Sequence, residues 1–168
     1  FADHEHVPHD PPVMSQKIRV RVEAAAAAQP LSAAQAAPGK PGRTPAPNDA
    51  AVYFIYPRNG ATIYATSTIR FGLRNMGVAP AGVAKPNTGH HHLLIDVPTP
   101  PLDVAIPSDL NHLHFGNGQT ERKITLPPGR HSLQLILGDD QHVPHDPPVL
   151  SERIEVFVGN PRKRSARR

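Results

Sequence analysis

Apolar residues recur at every second position in several short stretches of the chain. The segments 69–73, 133–137 and 154–158 show this alternation, and residues 52–56 form a short apolar run. A period of two places alternate side chains on one face of a β-strand, whereas no stretch of useful length keeps the period of an amphipathic helix. About seven short strands over residues 51–158 therefore predict an all-β, immunoglobulin-like β-sandwich.

Glycine and proline mark the ends of these predicted strands. Asn59-Gly60 is a strong turn signal, and Pro127-Pro128-Gly129 is a second one. Two longer segments rich in proline and glycine, residues 77–89 and 98–111, exceed ordinary hairpin lengths. Because long ordered loops often carry function, we expect any site to lie beside these two segments.

The N-terminal segment repeats a later part of the chain. Residues 1–22 align without gaps with residues 137–158, and 13 of the 22 positions are identical. We therefore interpret residues 1–22 as the C-terminal remnant of a first copy of the domain. In this arm Ile18, Val20 and Val22 alternate with basic residues, a pattern suited to a strand donated to an exposed sheet edge. The alternative is that residues 1–22 are only what remains of the first copy and bind no partner.

Residues 23–50 form a tract dominated by alanine and proline. Prolines at this density remove amide donors and favour extended backbone, so the tract predicts an extended linker rather than a long helix. Hydrophobic residues make up 38% of the 168 residues, aromatic residues 5%, and 21 residues are proline, which predicts one modest core. Because the chain has no cysteine, disulfides and thiolate metal sites are excluded.

Positive charge is concentrated at the C-terminal end. The basic tail, residues 159–168, holds five of the 18 basic residues and no acidic one, and the rest of the chain has 13 basic and 14 acidic residues. This distribution predicts an anchor to an acidic partner or an anionic membrane surface rather than nucleic-acid binding. The alternative is a solvated tail without a partner. The candidate contact residues of the tail are Arg162, Lys163, Arg164, Arg167 and Arg168.

Eleven histidines give the strongest chemical signal in the sequence. The string His90-His91-His92 enters a predicted strand, where its first and third rings share one face. The string His112-Leu113-His114 would also place both rings on one side if it is extended, and a third histidine pair lies in the repeated loop. Neutral imidazoles bind zinc and copper without help from thiolates or carboxylates. The candidate metal ligands are His90, His92, His112, His114, His142 and His145.

A structural role for the histidines is the alternative to metal binding. Neutral imidazoles bonded to backbone carbonyls, or to Asp96, Asp139 or Asp146, would hold long loops in a domain without disulfides. His91 shares a face with apolar residues, so we expect a buried ring with satisfied hydrogen bonds there rather than a ligand. No catalytic motif is present, and we expect no enzyme; Asp139 and Asp140 are expected to form a turn.

Four segments of the chain carry a resemblance to a known family. These segments, in the order in which they follow one another along the chain, resemble a bacterial domain family described as a domain of unknown function, number 4399. The resemblance covers about residues 51–158, and residues 1–22 match the end of the pattern again. It implies an exported domain that faces the cell envelope, and it implies no activity or cofactor. The four segments are 78–83, 85–96, 114–121 and 142–148.

Two functions are expected from these observations. The first is a non-enzymatic accessory or structural subunit, periplasmic and peripheral to the membrane. It would bind a larger envelope assembly through its arm, sandwich and tail, and a respiratory or photosynthetic membrane complex is one host that fits this location. The alternative is a periplasmic module that binds copper or zinc through the histidine-rich loops. Apart from such a metal we expect no cofactor.

Overall fold

The structure is a computed structural model, which describes residues 42–159 together with residues 11, 13, 15 and 16. The chain divides into two units, residues 1–32 and residues 33–168. The four described residues of the first unit are all exposed. The predicted contact residues of the arm and the basic tail lie outside the described residues: Ile18, Val20, Val22, Arg162, Lys163, Arg164, Arg167 and Arg168.

The described part of the second unit is all-β, as the alternation of apolar residues predicts. Residues 42–159 contain no helix, and therefore no helix that is long and apolar enough to cross a membrane. The prediction of about seven strands missed the shortest elements. The strands in this part of the chain are β1 Ala51–Tyr56, β2 Ala61–Ile63, β3 Thr66–Arg74, β4 Gly77–Val78, β5 Thr88–Ile95, β6 His112–His114, β7 Glu121–Thr125, β8 Gly129–Gly138 and β9 Ile154–Val158.

The strands form two sheets that enclose the core as a sandwich. The smaller sheet has three antiparallel strands in the order β1-β3-β7. The larger sheet has the order β2-β9-β8-β5-β4, and β6 pairs with β5 beside β4. The centre of the larger sheet is the antiparallel ladder of β5 and β8, which runs from the pair His90 and Gly138 to the pair Ile95 and Leu133.

Apolar residues from both sheets fill the space between them. Leu133, Leu135 and Leu137 on β8 are completely buried, and Ile69 and Phe71 on β3 face them with almost no exposed surface. Each fully buried side chain of this size stabilises the fold by about 1.5 to 3 kcal/mol. The predicted inward faces of β3 and β8 are therefore confirmed, and they make the two central strands of the sandwich rigid supports for the loops.

Part of the predicted linker packs against the larger sheet. We call residues 43–46 the strap. The amide of Ala46 donates to the carbonyl of Asp146 at 3.0 Å, and the amide of Asp146 donates to the carbonyl of Thr44 at 3.0 Å. Ala46 is completely buried in the core. The strap is therefore part of the packed domain, although it precedes β1 and belongs to the segment predicted as a linker.

Candidate metal centre

Four of the eleven histidines meet where β8 ends. The ring centroids of these four residues lie 4.8 to 5.9 Å from one another in every pairing. They come from three segments that are distant in sequence: β5, β6 and the loop after β8. We call this group the four-His cluster, and it consists of His90, His92, His114 and His142.

The register of the strands explains why these rings meet. His90 and His92 are two residues apart on β5, so both side chains leave the same face of the strand. On the neighbouring strand β6, His114 pairs directly with His92. The chain then turns sharply after Gly138, which pairs with His90, and His142 takes a left-handed backbone conformation with a φ of 68°. This turn brings the fourth ring back over β5.

The spacing of the ring nitrogens is close to what a metal ion requires. Nε2 of His90 lies 3.0 Å from Nε2 of His92. The ligand nitrogens of His90, His114 and His142 all lie within 4.8 Å of one another. Two nitrogens bound to one tetrahedral ion at 2.0 to 2.1 Å would be about 3.4 Å apart. The two β5 nitrogens are about 0.4 Å closer than this, and the nitrogens of His90, His114 and His142 would have to approach one another by at most about 1.4 Å.

Several ring nitrogens of the cluster have no hydrogen-bond partner among the described residues. Nδ1 of His90, Nδ1 of His92 and Nε2 of His114 are buried and unpartnered. A buried polar atom without a partner costs about 1 to 3 kcal/mol. Of these three atoms, Nε2 of His114 is available to bind an ion. In His90 and His92 the Nε2 atoms, which are 3.0 Å apart, would be the ligands, so their unpartnered Nδ1 atoms are a cost that the site has to bear.

The electrostatic environment keeps these imidazoles neutral. Burial, together with the neighbouring rings of His142 and His114, lowers the pKa of His90 to about 4. Burial and the other three rings of the cluster lower the pKa of His92 to about 2. The pKa of His114 is also lowered, by burial and by His142. Neutral imidazole is the form that binds metals, so the lowered pKa values of His90, His92 and His114 favour the ligating form of these three rings.

Asp139 fixes the loop that carries His142. Its Oδ1 accepts hydrogen bonds from the amides of Gln141 and Val143, both at 2.9 Å. Its Oδ2 accepts a hydrogen bond from the hydroxyl of Thr44 at 2.6 Å. This carboxylate is therefore occupied by the loop and the strap, which agrees with its expected role as a turn former and leaves the cluster with nitrogen donors.

Two glycines make room for the rings, and the sequence analysis missed both. A Cβ on Gly116 would lie 2.2 Å from Cε1 of His114, so that ring rests directly on the glycine backbone. A Cβ on Gly138 would lie 3.1 Å from Nε2 of His92. A glycine two residues after one histidine was the available signal for the first position. Whether such a glycine makes room for the ring depends on the orientation of the ring, and the sequence does not reveal that orientation.

The structure separates His112 and His145 from the other four candidate ligands. Nδ1 of His112 lies 2.9 and 3.1 Å from the two carboxylate oxygens of Asp109. Nε2 of His145 lies 3.1 Å from the carbonyl of Thr88, and its Nδ1 lies 3.5 Å from the carbonyl of Leu137. These two rings stabilise loops, which is the alternative that the sequence left open.

His91 is buried in the core, as its apolar face predicts. Its ring centroid lies 4.7 Å from that of Phe71. The expectation that its hydrogen bonds are satisfied was wrong, because neither ring nitrogen has a partner among the described residues. The side chain reaches apolar neighbours between the sheets, where no carbonyl or carboxylate is available to it. Burial lowers its pKa to about 4.

Comparison with known proteins gives one match. A family model described as Domain of unknown function (DUF4399) matches residues 69–159, which include most of β3, the whole of β4 to β9, and all four histidines of the cluster. No curated protein and no solved structure matches the chain.

Proposed function

The chain belongs to the DUF4399 family, whose description assigns no activity, and from the site alone we propose that it binds a transition metal, copper or zinc. One ion would be held by the four-His cluster. The observation that carries this proposal is the convergence of four imidazoles from three segments, with ring centroids no more than 5.9 Å apart. We propose a binding module rather than an enzyme.

The donor set supports copper or zinc over other metals. Imidazole nitrogens suit zinc and copper, whereas magnesium and calcium require oxygen ligands. The nearby carboxylate of Asp139 is bonded to two amides and a hydroxyl, so it does not compete as a ligand. Without a carboxylate or a thiolate, the ligands carry no charge and the bound ion would keep its full positive charge.

The four ligands differ in how firmly the fold holds them. His90 and His92 are completely buried on β5, at the centre of the larger sheet. His114 and His142 are partly exposed, one on a strand of three residues and the other in a loop. The buried pair would provide a fixed half of the site, and the exposed pair would close over an ion that arrives from solvent.

Metal analysis of the purified chain tests this proposal. We expect about one ion per chain after incubation with copper or zinc and dialysis, and a higher melting temperature, because a ligand at 100 times its Kd stabilises by about 2.7 kcal/mol. The double variant His90→Ala with His92→Ala should lose the ion. His142→Ala, on the partly exposed loop, should weaken binding at least about tenfold, as removal of one of four ligands costs more than 1.4 kcal/mol.

His112→Ala is the matched control, because its ring binds Asp109 and not the cluster. It should retain the ion. A chain that stays metal-free at an unchanged melting temperature, or a control that loses metal as readily as His142→Ala, would overturn the proposal.

An accessory role in a larger envelope assembly is a second candidate. Its support in the described chain is the outer face of β1, where Tyr53 is 46% and Ile55 is 54% exposed. Exposed apolar side chains of this size on one strand are typical of contact surfaces. The periplasmic location, which is part of both proposals, is supported by the family resemblance.

A photo-crosslinker at Val20 tests the accessory role. With solubilised envelope membranes, the arm should give one discrete crosslinked product. Crosslinking to nothing, or indiscriminate crosslinking to abundant proteins, would contradict the role of the arm.

A further inference from the structure

A groove runs along one side of the sandwich, between β7 of the smaller sheet and β6 of the larger sheet. Its volume is about 500 Å³. Residues 122–127 form one wall of the groove without interruption. Residues 95, 96, 110, 111 and 113 form the other wall. Successive residues of a strand point to opposite faces. An unbroken run of lining residues therefore means that the groove follows the edge of β7 rather than one of its faces.

The edge of β7 that borders the groove is open. Within the described chain, β7 pairs with β3 on one side and with no strand on the other. An edge strand presents backbone N–H and C=O groups that can pair with a further strand. Its five residues span about 17 Å, enough for a segment of similar length.

The groove combines positive charge with an apolar floor. Arg122 and Lys123 are exposed, and neither forms an ion pair with any described residue. Three carboxylates near the groove already have partners. Glu121 lies 3.0 Å from Arg70, Asp96 lies 2.6 Å from the ring of His131, and Asp109 lies 2.9 Å from the ring of His112. At its base the groove reaches the edge of the core, where Ile95, Ile124 and Leu126 are 5 to 7% exposed and Leu113 is partly exposed.

A leucine stands at the rim of the groove with 90% of its surface exposed. This residue, Leu110, belongs to a fixed turn. The carboxylate of Asp109 accepts hydrogen bonds from the amides of Asn111 and His112 at 2.8 and 2.9 Å. The turn holds the apolar side chain in solvent beside the groove, where it is placed to cover a bound segment.

We propose that this groove binds an extended peptide segment of a partner protein, in which acidic and apolar residues alternate, as an additional strand on β7. Because Arg122 and Lys123 point to opposite faces of β7, such a segment would place its carboxylates beside Lys123 on one face. Its apolar side chains would lie on the other face, beside Ile124 and the aliphatic part of Arg122. Residues 17–22 of the arm and the basic tail carry positive charge, so charge disfavours these two segments as occupants. The peptide site does not depend on metal binding.

Fluorescence anisotropy with two labelled ten-residue peptides tests the proposal on the complete chain. One peptide alternates glutamate with valine, and the other alternates lysine with valine. The glutamate peptide should bind, more weakly as salt rises, and the lysine peptide should not. The double variant Arg122→Glu with Lys123→Glu should reduce affinity at least tenfold. Leu110→Ser should reduce it severalfold.

Two controls separate strand addition from simple charge attraction. The double variant Arg74→Glu with Lys85→Glu changes the net charge equally outside the groove and should bind as the parent chain does. A glutamate peptide N-methylated at alternate residues lacks the backbone donors and should not bind. Equal binding of the methylated peptide, equal loss in the control variant, or no binding of any peptide would overturn the proposal. Displacement of the labelled peptide by dodecanoate or by anionic vesicles, at concentrations lower than those at which unlabelled glutamate peptide displaces it, would also overturn the proposal. The groove would then favour a lipid over a peptide.

Discussion

Gly116 shows how a residue without a side chain determines the position of a ligand. Because a Cβ there would lie 2.2 Å from Cε1 of His114, Gly116→Ala must push that ring away from the cluster. We expect metal affinity to fall at least about tenfold, or about 1.4 kcal/mol, while the fold is retained. Gly159→Ala is the matched control, because no atom lies within 4 Å of its added Cβ. Competition titration with a metal indicator measures both, and equal affinities would contradict this account of His114.

His91 is the histidine of the central string that faces the core instead of the cluster. Its two unpartnered nitrogens make it a source of instability. Replacing a buried, unpartnered polar group by an apolar one of similar volume is expected to be neutral or stabilising. His91→Leu should therefore raise the free energy of unfolding by about 1 kcal/mol in urea denaturation and leave metal content unchanged. A clear loss of stability, or of metal, would mean that the ring has a partner.

His131 is expected to give the stability of the domain a pH dependence. Burial opposes its charge, but the hydrogen bonds to Asp96 at 2.6 Å and to the carbonyl of Pro127 at 2.9 Å, with the attraction of Asp96, outweigh it and raise the pKa. A raised pKa means that the folded state holds the proton more tightly than the unfolded state. This stabilisation is complete below about pH 6.5 and is lost as the pH rises through the raised pKa.

Thermal unfolding between pH 5 and 9 measures this contribution. As the pH rises above about 6.5, the parent chain should lose stability relative to His131→Gln, which lacks the titrating group. Parallel pH profiles of the two proteins would show that the bond to Asp96 does not involve a charged imidazole.

At the scale of elements, the strap and the four-His cluster act on the same loop. Arg43 donates to the carbonyls of Pro144 and His145 and lies 3.3 Å from a carboxylate oxygen of Asp146. The opposite side of this loop supplies His142 to the cluster. Strap and metal therefore favour the same loop conformation, and each should strengthen the attachment of the other.

Arg43→Ala tests this coupling. It should weaken metal binding about three- to tenfold although Arg43 contacts no ring of the cluster, and metal should slow hydrogen exchange at the amide of Ala46, which bonds to Asp146. Arg58→Ala, at an exposed arginine outside the loop, should change neither quantity. Metal affinity that is identical in all three proteins would show that the loop keeps its conformation without the strap.

The elements that the sequence predicts are those whose pattern is local. Period two identifies the inward faces of β3 and β9, and it identifies the leucine face of β8 that borders the main core. It does not predict that Ile136, on the opposite face of β8, is also buried, in a second cluster with Leu94 and Ile106. β4 and β6 have two and three residues and exist through their pairing with β5, a contact distant in sequence. Histidine spacing similarly predicts which rings share a face. It does not predict that Asp109 draws His112 away from the cluster.

At the scale of the whole molecule, the two aligned segments contribute unequally to the proposed site. Residues 137–158 supply one ligand of the four-His cluster, His142, and the other three come from β5 and β6. Residues 1–22 contain the aligned histidine His6 but nothing that matches the three ligands of β5 and β6. One chain should therefore bind one ion and not two.

X-ray absorption spectroscopy of the metal-loaded chain tests the central claim most directly, because it reports the atoms bound to the ion. The four-His cluster predicts one ion per chain with three or four imidazole nitrogens at about 2.0 Å, and a spectrum dominated by imidazole scattering. A first shell made mainly of oxygen, or fewer than three imidazoles, would show that the ion is bound elsewhere on the surface and would contradict the proposed metal centre.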